Sequence, residues 1–122
     1  MLFKKTNIEE KEINHAYEYF LDHEEVILLC ADERRQFDEN HPVGAQCFPL
    51  RVIDKQAEIE LDKDYVYYIY AIKKFTAEDA TKKLLRKGFE AYCLGSNVNF
   101  KGPEEGVNIK NRKRRRRNGK GR

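Results

Sequence analysis

Three cysteines are the residues of this chain best suited to covalent chemistry. Cys30, Cys47 and Cys93 can each attack as a nucleophile or carry sulfur only where their surroundings favour the thiolate. They are too few and too widely spaced for a disulfide framework or a paired CxxC zinc site, so no structural zinc and no cofactor are expected. Cys30 and Cys93 fall in apolar runs, where free cysteine behaves as a small buried hydrophobe. Cys47 follows His41 and is expected to be the more accessible thiol. His41 is expected to stabilise a turn rather than act as a general base, since sequence places no nucleophile or carboxylate beside it.

Anion binding is a second chemistry within reach. Ala71, Ile72, Lys73, Lys74, Phe75 and Thr76 link an apolar run to a helical pattern. Backbone N–H groups at such a junction, with the helix dipole behind them, attract negative charge. Lys73 and Lys74 reinforce that attraction, although lysines on an exposed turn need no ligand to account for them. Polyanion binding is a third. From Lys110 onward the sequence KNRKRRRRNGKGR holds nine Lys or Arg and no acid, with Arg112, Lys113, Arg114, Arg115, Arg116 and Arg117 consecutive. Like-charge repulsion predicts an extended, disordered tail. Neutralising phosphates releases counterions, which gives salt-dependent and largely sequence-independent affinity. RNA, including ribosomal RNA, is the expected partner. DNA, an acidic protein surface, a nuclear-localisation role in a eukaryotic source, and a run that folds back on the acidic body or only improves solubility are the competing readings.

These residues need elements to position them, and 122 residues with 40% hydrophobic content provide for one compact core. The net charge of +3 is unevenly divided: outside the nine cations of the tail, residues 1–109 carry 15 basic and 21 acidic side chains, a net of −6. Ile8, Ile13, Ala16, Tyr17, Phe20 and Leu21 fall mostly at helical spacing, with Thr6 and Glu9 matching a capping box. Residues 26–31 (VILLCA) and 65–72 (YVYYIYAI) read as strands buried on both faces. Residues 37–50 read as mostly loop, with a short strand at Cys47 and Phe48. Thr76 is the expected cap of a helix whose inner stripe is Ala77, Ala80, Leu84 and Leu85 and whose end is Gly88. A further strand covers residues 91–94. Strand, helix and strand in that order predict a central parallel sheet flanked by helices, an α/β fold. Tyr65, Tyr67, Tyr68 and Tyr70 are expected to fill its core rather than to stack on bases.

The motif FDENHPVGAQCFPL, residues 37–50, resembles that of the rhodanese-homology family: a phenylalanine, a short gap, His-Ile-Pro-Gly-Ala and then Pro-Leu. His41, Gly44, Ala45 and Pro49 fall in register, with Pro42 and Val43 replacing the Ile-Pro pair. The resemblance covers roughly residues 6–101 and implies a single rhodanese-like domain at residues 1–101, followed by a turn and a basic tail at 102–122. It also implies where sulfur chemistry would occur. Counting back from Gly88 and Phe89, the family's nucleophilic cysteine falls at Ala71, and Thr76 stands where an arginine would hold the anion. An alanine methyl cannot attack sulfur, and a lone hydroxyl cannot replace a guanidinium fork. Cys30-Ala31-Asp32 stands where the family reads Asp-Val-Arg, removing another pair of charged positions.

The expected function is therefore a noncatalytic rhodanese-like binding module with a polyanion-binding tail and a protein partner. A divergent sulfur carrier using Cys47 is the alternative. No apolar stretch reaches the length of a membrane span and no hydrophobic run follows the first lysines, so membrane attachment is not expected. A cytoplasmic, reducing location is expected, or a nuclear one for a eukaryotic source.

Overall fold

Val26–Cys30 is apolar without alternation, and such a run is stable as a strand only where both of its faces are covered. The computed structural model, which describes residues 7–108, covers both faces with helices. In chain order its elements are α1 (Ile13–Asp22), β1 (Val26–Cys30), α2 (Arg34–Glu39), β2 (His41–Pro42), β3 (Gln46–Cys47), a 3-10 turn (Leu50–Val52), α3 (Ile53–Glu60), β4 (Val66–Ala71), α4 (Lys74–Arg86), β5 (Glu90–Ser96) and β6 (Glu104–Glu105). The order β3-β1-β4-β5 forms a four-stranded sheet with every neighbouring pair parallel. β2 and β6 make a separate antiparallel pair.

Alternation along the strands divides the core in two. Leu29, Tyr67, Ile69 and Ala71 face α3 and α4, where they meet Ile53, Ala57, Ala77, Ala80 and Leu84. Leu28, Cys30, Tyr68 and Tyr70 face the other way, onto Ile13, Ala16 and Tyr17 of α1 and Phe37 of α2. The core role read for the tyrosines holds for Tyr67, Tyr68 and Tyr70, which are buried, but not for Tyr65, which is exposed. Gly88 ends α4 in the left-handed region at φ +93°, and two bonds fix that ending. Its N–H donates to the Leu85 carbonyl at 3.0 Å and the Phe89 N–H donates to that of Leu84 at 3.0 Å, which buries Phe89 beside the helix.

Five expectations about the elements need correction. The first helix starts at Ile13, because residues 9–11 are extended along β5: the Cys93 N–H donates to the Glu9 carbonyl at 3.0 Å and the Lys11 N–H to that of Cys93 at 2.9 Å. Glu12 caps this helix by accepting the His15 N–H at 2.9 Å, while Thr6 lies outside the described residues. Leu21 is exposed rather than part of the inner face. Lys73, not Thr76, is the cap of α4. Residues 37–50 are not mostly loop, since they contain the end of α2 and both β2 and β3. Residues 102–108 also pack on the domain, with Glu104 and Glu105 paired to Pro42 and His41, so the body extends past the expected boundary at residue 101.

Candidate functional site

The chain leaves β1 toward β3 on one side and leaves β4 toward β5 on the other. The carboxyl ends of β1 and β4 therefore flank the point where the winding reverses, which is where open parallel sheets bind ligands. A cleft of about 360 Å³ opens there, lined by Asp32, Glu33, Arg51, Ile72, Lys73 and Thr76 among others.

The loop expected at residues 71–76 is only two residues long. Ala71 is the buried last residue of β4, Ile72 and Lys73 make the turn, and Lys74 already begins α4. Three amides that could have faced an anion have internal partners. The Ile72 N–H donates to the Asp32 carboxylate at 2.8 Å, and the Thr76 and Ala77 N–H groups donate to the Lys73 carbonyl at 3.1 and 3.3 Å. Asp32 thus brings a negative charge into the crevice, where sequence reading saw only a loss of charged positions. An acid directly after a buried strand at the winding reversal was the available signal.

The cations nearby are also engaged. The Lys73 Nζ lies 5.8 Å from the centroid of the Phe75 ring, and the Lys74 Nζ is 3.7 Å from Glu10 and 4.0 Å from Glu78. Arg51 forks onto Glu33 at 2.9 and 2.8 Å, which holds the Glu33 carboxyl below its ordinary range. The result is a cleft of mixed charge, in which the Asp32 and Glu33 carboxylates stand beside Arg51 and Lys73. Its outer rim is apolar: Ile72 is 47% exposed and Phe75 61%.

None of the three thiols stands at the carboxyl end of β4. Cys30 and Cys93 are buried and Cys47 is half-buried. Burial is the leading cause that pushes all three thiols upward, Cys30 to about 12. At Cys47 the pull of Arg34 is opposed by Asp38, Glu33 and Asp32. The Cys30 thiol donates to the Asp32 carboxylate at 3.5 Å, and the Cys47 thiol donates to the Asp32 carbonyl at 3.6 Å. All three are therefore protonated near neutral pH and poorly nucleophilic.

His41 is buried, stacked on Phe37 with centroids 3.7 Å apart, and its Nδ1 donates to the Phe37 carbonyl at 2.7 Å. A carboxylate does lie beside it, contrary to expectation: Glu105 of β6 approaches Nε2 at 3.2 Å. The ring joins α2, β2 and β6, which is a positioning role.

Parallel strands in the order β3-β1-β4-β5, with helices on both faces, match known structures. The BH2092 protein of Bacillus halodurans superposes with a TM-score of 0.72 at 20% identity, covering 82% of this chain and 78% of that one. The rhodanese-like domain of the Alr3790 protein of Anabaena sp. gives 0.69 at 20% identity, over 84% and 80% of the two chains. A rhodanese with anions from E. coli gives 0.59 at 19% identity, over 67% and 99%. The chain has the rhodanese-like fold. No protein-family profile and no curated protein matches it. Within this rhodanese-like body, no cluster of three or more His, Cys, Asp or Glu fit to hold a metal occurs among the described residues. None of the described helices is long and apolar enough to cross a membrane. Arg112, Lys113, Arg114, Arg115, Arg116 and Arg117 lie outside the described residues.

Proposed function

We propose that this chain is a noncatalytic rhodanese-like binding module whose basic C-terminal run contacts RNA. The observation that carries the proposal is the bond from the Ile72 N–H to the Asp32 carboxylate, next to an alanine at the end of β4. Sulfur transfer needs a thiolate at this position, which an alanine cannot supply, and Asp32 already takes up the Ile72 amide. What the crevice offers instead is an exposed apolar rim, Ile72 and Phe75, with Lys73 beside it. That composition suits a protein partner with an apolar anchor and a flanking acid.

A thiosulfate sulfurtransferase assay on the full chain, combined with intact-mass analysis, tests the noncatalytic reading. No turnover and no persulfide are expected. Turnover abolished by replacing one cysteine would overturn it, and a persulfide mapped to Cys47 would support the sulfur-carrier alternative. That alternative has less support, because burial and three carboxylates disfavour the Cys47 thiolate.

A further inference from the structure

At the opposite end of the sheet, the amino ends of β1, β4 and β5 and the flank of α1 enclose a second cleft of about 390 Å³. Its walls are aromatic. Tyr68 is buried at its floor, Tyr19 lies over Tyr68 with centroids 6.3 Å apart, and Tyr92 meets Tyr68 edge-on at 5.9 Å. Its rim is acidic. Glu25 has no ion-pair partner among the described residues, and the Glu90 carboxylate accepts only the Tyr92 hydroxyl, at 2.8 Å. The two other charged or titratable groups on the rim are Lys11, whose Nζ lies 4.6 Å from the centroid of the Tyr92 ring, and His15, which faces Glu12 at 3.6 Å. Lys11 shows that a cation is accommodated against the Tyr92 ring.

Tyrosine rings rimmed by two carboxylates, with Lys11 as the one lysine or arginine lining the cleft, favour a further organic cation, and arginine suits both halves because its guanidinium stacks on rings and forks onto carboxylates. The same chain supplies such a group: nine Lys or Arg follow residue 109, against a net charge of −6 in the rest. Fourteen residues beyond residue 108 span up to about 45 Å when extended, against a radius of gyration of roughly 13 Å for a domain of this size. We propose that this tyrosine-walled cleft receives an arginine of the chain's own basic run, residues 110–122. The contact stands or falls independently of whether that run also binds RNA.

Photo-crosslinking of the full chain carrying Asn118→benzoylphenylalanine, irradiated as a mixture of light and isotope-labelled copies, tests this docking. Cross-links are expected within single copies, to the peptides bearing Tyr19, Glu25 or Tyr92. Their yield should fall about fivefold in the Glu25→Gln/Glu90→Gln variant, which keeps every ring. Both glutamates are exposed, so the variant is expected to fold, and an unchanged unfolding midpoint checks that it does. Cross-links scattered over the acidic surface, formed between copies, absent, or indifferent to the two substitutions would overturn the proposal. RNA affinity, measured separately, does not enter the comparison.

Discussion

Ala71 ends β4 and Asp32, just past β1, accepts the next amide, and on the proposed noncatalytic reading each removes a different requirement of sulfur transfer. Restoring one should not restore the other. Ala71→Cys is expected to remain roughly 10²-fold or more below an active rhodanese, because Asp32 would still oppose the thiolate and occupy the Ile72 amide; turnover close to that of an active enzyme would refute this. Cys30 makes a prediction about pH. Its folded value of about 12 exceeds the ordinary 9.0, so its contribution to stability is fully present below pH 9 and is lost as pH rises through 12. By about pH 11 the wild type should have lost about 2–3 kcal/mol more stability than Cys30→Ala, measured by urea unfolding from about pH 8 upward. Parallel pH curves would contradict it. The absence of a thiol at residue 71 was legible from residue types alone. The contact of His41 with Glu105 was not, because 64 positions of chain separate them and only the pairing of β2 with β6 brings them together.

At the scale of elements, the long strands and helices were legible while the short helices and the two-residue strands β2 and β6 were not. β1 and β4 announce themselves as unbroken apolar runs, and α4 by the spacing of Ala77, Ala80 and Leu84. α2 buries only Phe37, and α3 only Ile53 and Ala57, so neither shows enough of a period to read. α2 is completed by partners near and far in sequence, with Gln36 accepting the Glu33 N–H at 3.3 Å and Arg51 clamping the Glu33 side chain. The start of α4 moved from Thr76 to Lys73 because the Thr76 amide bonds the Lys73 carbonyl. Its end at Gly88 makes a specific prediction. Gly88→Ala places a Cβ at φ +93° and should destabilise the fold by about 1 kcal/mol in urea unfolding. No loss would mean that the turn relaxes out of the left-handed region.

At the scale of the whole molecule, charge separates into an acidic body and a basic terminus within one chain. Removing residues 110–122 should abolish most RNA affinity. If about six of the cations contact phosphates of single-stranded RNA, the slope of log affinity against log salt in the full chain should be about −4. A truncated chain that retained full affinity, or a full chain with no salt dependence, would remove RNA from the proposal. Such screening measurements concern the terminus, whereas the sheet has a separate point of exposure. Residues 9–11 run along the outer side of β5, and on the far side β3 is only two residues long. The bridge between Glu10 and Cys93 thus covers part of the β5 edge. A chain trimmed to start at Ile13 would bare the β5 hydrogen-bonding edge and invite aggregation through strand pairing between molecules.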